Sequence, residues 1–158
     1  MGLILIISNH AFSETVATTA NDISFPAGLK NWRVIGTSYR KDNNTQRVIL
    51  GNSIAIKAAR SGQIKPWPQG TILAKLVWKN SQHPQWDDAI VPGEFVHSEI
   101  MIKDAKKFAS TKGWGFARWL GKKQQAYGET ASFAEECLSC HTRAKSTNYV
   151  FTIPATIP

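Results

Sequence analysis

Cys137-Leu138-Ser139-Cys140-His141 is the stretch of this sequence whose residue types and spacing point to one specific chemistry. On a helix the two thiols lie about one turn apart, so each can add across a vinyl group on the same edge of a porphyrin. The imidazole that follows can then bind the iron from the proximal side. The motif therefore predicts a covalently attached haem c, with Cys137 and Cys140 as thioether donors and His141 as axial ligand. A C-x-x-C pair can also be a disulfide, a redox dithiol or half of a zinc site. Zinc needs two further ligands, and the chain has no other cysteine and only three other histidines, His10, His83 and His97. A redox dithiol belongs after a strand near the N-terminus, whereas this pair lies near the C-terminus in a helical context.

A chain of 158 residues suffices for one domain that buries most of its apolar surface. Its hydrophobic fraction of 42% and charged fraction of 19% are those of a globular protein and exclude a largely disordered one. The net charge of +8 favours acidic partners, such as an acidic redox protein or an anionic membrane surface. The basic residues are scattered, without an Arg-rich run or a nucleic-acid motif, so nucleic acid is not an expected partner.

The start of the chain, Leu3-Ile4-Leu5-Ile6-Ile7 followed by Ala11-Phe12-Ser13, reads as part of a secretory signal that lacks the usual positive n-region. A buried strand is the alternative. The run is too short to span a bilayer, so no membrane span is expected. Haem c is normally attached outside the cytoplasm, which independently supports export. Residues 1–13 are thus assigned to a partial signal and 14–158 to a single domain.

The elements that must position the motif follow from periodicity and breakers. Strands are expected over 32–39 and 47–50, joined by a turn at 41–44 into a hairpin. Asn52 or Ser53 can cap a short helix over 54–60 that Gly62 closes. After the breaker Pro66-Trp67-Pro68-Gln69-Gly70, a strand over 71–79 puts Ile72, Ala74, Leu76 and Trp78 on a core face. Its other face carries Leu73, Lys75, Val77 and Lys79, which leaves Lys75 between two apolar neighbours. Residues 80–92 read as an irregular loop with one helical turn around 86–89. In the strand over 95–102, Val96, Ile100 and Ile102 look like core, while Phe95, His97, Glu99 and Met101 form a mixed face of the kind that lines pockets. An aromatic strand is expected over 114–120; Gly113, Gly115 and Gly121 beside it serve either turns or close backbone approach to the haem. Ser132-Phe133-Ala134-Glu135 has the form of a capping box that starts the haem-bearing helix. The fold class is α+β: a mainly antiparallel sheet of about five strands, short helices and a C-terminal helix that presents the haem.

The sixth ligand decides what the haem does. Met1 would leave with a signal, and Met101 in a strand interior reads as packing. His97 and His83 are the other options, and a lone strand histidine is more often structural. Five-coordinate iron with an open distal position is expected, which points to catalysis or gas binding rather than electron transfer.

Trp32-Arg33-Val34-Ile35-Gly36, Arg47-Val48-Ile49-Leu50-Gly51-Asn52, Pro66-Trp67-Pro68-Gln69-Gly70, Ala74-Lys75-Leu76 and Val91-Pro92-Gly93-Glu94-Phe95-Val96-His97, together with the late haem motif, resemble cytochrome P460. The resemblance runs from about Phe25 onward. It implies a periplasmic homodimer, mainly antiparallel β, whose one haem carries a third covalent link from a lysine to a porphyrin meso carbon. It also implies oxidation of hydroxylamine to nitrous oxide or nitrite through an iron-nitrosyl, with a redox partner protein as electron acceptor.

Within that resemblance Lys75 is the expected cross-linking residue, since a partly buried amine is easier to deprotonate and more nucleophilic. Lys79, bordering a polar stretch, is the reserve. Glu99 is the expected general base, because it lies on the mixed face and active relatives carry a distal carboxylate. Glu94 reads as exposed. Arg47 can hold a haem propionate or polarise a distal ligand, though a surface strand arginine is an equal reading. The resemblance also admits the β-type cytochromes c′, which share the fold, lack the lysine link and bind nitric oxide or carbon monoxide in an apolar pocket.

Overall fold

The structure is a computed structural model that describes residues 16–157. The expected signal, residues 1–13, lies outside the described residues. Six strands form one antiparallel sheet in sequence order: β1 (Arg33–Arg40), β2 (Thr45–Gly51), β3 (Ile72–His83), β4 (Trp86–Lys103), β5 (Trp114–Leu120) and β6 (Gln125–Ala126). The sixth strand, two residues long, is the one the periodicity does not show. Helix α1 (Ser53–Ser61) interrupts the meander between β2 and β3, and α2 (Phe133–His141) follows it.

Helix α1 begins and ends as its sequence dictates. Asn52 Oδ1 accepts a hydrogen bond from the Ala55 amide at 3.0 Å, and Gly62 stops the helix at φ 71°. Helix α2 starts at the expected place by other means. Ser132 makes no capping bond, because its hydroxyl pairs with that of Thr130 at 2.7 Å. The capping box is thus corrected to a coincidence of sequence, and only the acidic first turn, Glu135 and Glu136, favours the helix N-terminus.

The sheet is buried on both faces, so the expectation of one core face per strand is also corrected. Leu50, Ala74, Ile100, Ala117 and Trp119 meet the N-terminal Ile23 and Leu29 on one side. On the other, Ile49, Leu73, Trp114 and Phe116 pack beneath α1 and α2 with Trp67 and Val150. Beyond Val150 the C-terminal segment is largely exposed, and the Ala155 amide bonds the Ile35 carbonyl at 2.7 Å.

Residues 80–92 do not form the expected loop with a helical turn. Strands β3 and β4 continue as a paired arm in which Asn80 faces Pro92 and His83 faces Trp86. Proline, glycine and aspartate there argue against a strand, but bulges absorb them at register shifts after Val77, Trp78 and Gln82. The Gln82 side-chain amide holds the Trp86, Asp87 and Ala89 carbonyls at 2.7–3.0 Å, satisfying acceptors that the irregular ladder leaves free.

Gly113 and Gly121 take positive φ values of 80° and 59°, which is turn chemistry. Gly115 serves close approach, though to Phe108 on the face away from α2. A Cβ on Gly115 would stand 2.4 Å from the Phe108 ring. Gly115→Ala is therefore expected to destabilise the fold by about 1–3 kcal/mol through overpacking, read as a lower denaturant midpoint at unchanged slope.

Candidate haem site

Antiparallel register places directly opposed residues on one face, and here it builds a row across four strands. Ile49 of β2 faces Lys75 of β3, Lys75 faces Glu99 of β4, and Glu99 faces Arg118 of β5. The next row is Arg47, Val77 and His97. The row on the other side is Gly51, Leu73, Met101 and Phe116. Lys75, Glu99, Arg47, His97 and Met101 thus share the sheet face that α2 covers.

Glu99 is the hub. Its Oε2 is in direct contact with the Lys75 ammonium. Its Oε1 accepts from Arg118 Nε at 2.8 Å and lies 2.6 Å from Arg118 Nη2. His97 Nε2 stands 3.6 Å from the same oxygen. Burial alone would raise the Glu99 carboxyl, but the Lys75 and Arg118 charges outweigh it and hold it down at about 2. Burial likewise pushes His97 down to about 4 against the pull of Glu99, so this imidazole is neutral at neutral pH. The Lys75 side chain is partly buried, retaining 34% of its exposure, and finds in Glu99 a counter-ion that the strand pattern did not show. Lys79 is exposed four residues further along β3, and Glu94 is exposed on β4.

Arg47 is half-buried. Its Nη2 donates to Thr45 Oγ1 at 2.5 Å, while its buried Nε has no partner. An orphaned guanidinium donor one row from Glu99 on this face is a group that a haem propionate would satisfy.

The motif lies on the helix that the sequence predicts for it. Cys137 and Cys140 are free thiols on α2, and burial raises the pKa of Cys137, partly offset by Arg118. His141 Nδ1 lies 2.6 Å from the Tyr149 carbonyl. That oxygen can only accept, so Nδ1 carries the proton and Nε2 keeps its lone pair for a metal. Burial lowers the His141 pKa, which also favours the neutral ligand form. Phe116 and Phe151 flank the ring, with centroids at 5.2 and 5.1 Å.

The Tyr149 carbonyl is aimed by unusual backbone. Asn148 and Tyr149 adopt φ values of 55° and 65°, rare for residues other than glycine. Hydrogen bonds fix this kink: Asn148 Oδ1 accepts from the Trp67 amide at 3.1 Å, and the Asn148 carbonyl accepts from Trp114 Nε1 at 2.9 Å.

Sequence reasoning missed Arg118 and the Tyr149 carbonyl. Arg118 had a signal: in Trp114-Gly115-Phe116-Ala117-Arg118, period two puts it on the face of Trp114 and Phe116. The Tyr149 carbonyl had none. His83 sits near the tip of the β3–β4 arm, where its Nδ1 accepts from the Gln85 amide at 3.1 Å. Met101 packs against the core beneath α2. Among the described residues no three or more His, Cys, Asp and Glu side chains gather to bind a metal unaided. No helix among them is long and apolar enough to cross a membrane.

An antiparallel sheet whose charged and apolar rows share a face with a helix bearing two free thiols and a pre-set imidazole suits a covalently held haem. The chain belongs to the cytochrome P460 family, whose family model, described as Cytochrome P460, matches residues 26–152. A search of curated proteins returns no match.

Proposed function

We propose that this chain is a periplasmic haem enzyme that oxidises hydroxylamine, works as a homodimer and passes electrons to an acidic redox protein. The observation that carries the reading is the juxtaposition of Lys75 and Glu99 in one cross-strand row, on the sheet face that also packs against the motif helix. Cys137 and Cys140 would hold a single haem by thioethers, His141 Nε2 would bind its iron, and Arg47 would meet a propionate. Lys75 would add the third covalent link, at a porphyrin meso carbon. That link replaces a C–H bond by a C–N bond, with loss of two electrons and of protons from carbon and amine, so a peroxide or comparable oxidant must take the electrons.

When bound, the haem supplies the centre that takes electrons from hydroxylamine and hands them on. Oxidation to nitrous oxide and water releases as many protons as electrons, and the chain must remove them. Glu99 is the group for this: a carboxylate, ionised, held in place and nearly buried. Leu73, Met101 and Phe116 in the neighbouring row give it an apolar border that packs into the core.

One observation favours a second reading. Lys75 is an ion-paired ammonium, and an ammonium has no lone pair for a porphyrin carbon. Were it to stay unlinked, the site would suit a β-type cytochrome c′ that binds nitric oxide or carbon monoxide without turnover. Steady-state assays of the purified holoprotein with hydroxylamine and an artificial electron acceptor decide between them. Many turnovers per haem, with nitrous oxide or nitrite as product, are expected; nitric oxide binding with no turnover would overturn the enzyme reading.

A further inference from the structure

The two oxygens of Glu99 are held by different cations on opposite strands. Lys75 of β3 takes Oε2, and Arg118 of β5 takes Oε1 through two guanidinium nitrogens. These contacts have different fates. Once an amine nitrogen is bonded to a conjugated ring carbon, its lone pair is delocalised and it no longer carries a proton at neutral pH. Linking Lys75 would thus remove the cation that faces Oε2 and leave the carboxylate its own negative charge. Arg118 cannot lose its own, since a guanidinium stays protonated.

Arg118 is itself held. Its guanidinium carbon lies 4.9 Å from the centroid of the Tyr127 ring, a cation–π contact, and the Tyr127 amide bonds the Arg118 carbonyl at 2.9 Å. Tyr127 packs edge-on against Phe133, the first residue of α2. The clamp on Glu99 is therefore braced against the helix that carries the haem motif.

We propose that Arg118 is the positioning residue of this site: it fixes Glu99 through Oε1 and leaves Oε2, freed when Lys75 is linked, as the atom that takes up substrate protons. The inference rests on the hydroxylamine reading above and adds to it an assignment of which oxygen acts and what makes it available. Maturation would then do two things at once, anchoring the cofactor and releasing the base.

The charged and titratable groups around Glu99 are Lys75 on β3, His97 on its own strand, Arg118 on β5, Arg47 on β2, and Cys137 and His141 on α2. Of these, Arg118 is the permanent cation in contact with the carboxylate. Removing it is expected to raise the pH at which Glu99 protonates by about one to two units, the usual effect of a neighbouring opposite charge.

The test compares holoprotein carrying Arg118→Gln or Arg118→Lys with the parent. One readout is the acid limb of the pH–rate profile for hydroxylamine. The other is an infrared titration of the protonated-carboxyl band, assigned by its loss in Glu99→Gln. Arg118→Gln should move both midpoints upward by about one to two units, with haem content and the mass of the Lys75 linkage unchanged. Arg118→Lys, which keeps the charge, should restore most of the parent value. Midpoints in Arg118→Gln that coincide with the parent would overturn the assignment while leaving the enzyme reading intact. A shifted infrared midpoint in a protein that turns over no hydroxylamine would uphold the clamp and reject the activity.

Discussion

Glu99→Gln is expected to lower hydroxylamine turnover by about 10²–10⁴-fold, the usual contribution of a general base, while the protein keeps its full complement of haem. The two effects separate because Glu99 is a neighbour of the attachment residues and not one of them. Glutamine preserves the shape and still accepts from Arg118 through its carbonyl oxygen. What it loses is a site for protons, since an amide is not basic at any working pH. Kinetics would read this as a fall in kcat and kcat/KM together, the pattern for a group that acts in the transition state. Turnover equal to the parent, with normal haem content, would remove Glu99 from the proton path.

His141→Ala is expected to have the other large effect, on the protein and not on its rate. The side chain is half-buried between Phe116 and Phe151, and its Nδ1–H is committed to the Tyr149 carbonyl. Alanine removes the axial ligand, opens a void between two aromatic rings and leaves that carbonyl without its donor. Changing groups that merely support a ligand costs about ten- to a hundredfold in affinity, so loss of the ligand itself should lower holoprotein yield by at least about tenfold. The haem-to-protein ratio measures this, with circular dichroism reporting whether the sheet has formed. Full haem content and an unchanged iron spectrum would show that another group binds the metal.

The haem motif could be read directly because covalent attachment is local chemistry, written in five consecutive residues. The face shared by Lys75 and Glu99 was nearly as legible, since a strand alternates sides whatever its neighbours do. That the two side chains meet was not. Contact depends on register, which brings together residues 24 positions apart in sequence, and register is set by bulges and turns elsewhere in the sheet. Arg118 was lost for the same reason. Its charge inside an aromatic strand was visible, but its partner lies on another strand.

The β3–β4 arm failed for a different reason. Local propensities at Asp87, Asp88, Pro92 and Gly93 oppose a strand, and cross-strand pairing with bulges overrides them, while Pro84 keeps its place in the turn. The proximal carbonyl is the extreme case. Nothing marks Tyr149 as a residue at φ 65°; the kink exists because Trp67 and Trp114, distant in sequence, both bond Asn148.

The site therefore has two origins. Residues 137–141 identify the cofactor, and the cross-strand row Lys75–Glu99–Arg118 is what would make the protein an enzyme and not a gas-binding cytochrome. The covalent state of Lys75 tests this most directly. Proteolysis of the mature protein followed by mass mapping of the haem-bearing fragments should find the peptide containing Lys75 joined to the one containing Cys137, Cys140 and His141. A free peptide with Lys75 at its unmodified mass, alongside a haem held by the two thioethers alone, would contradict the account.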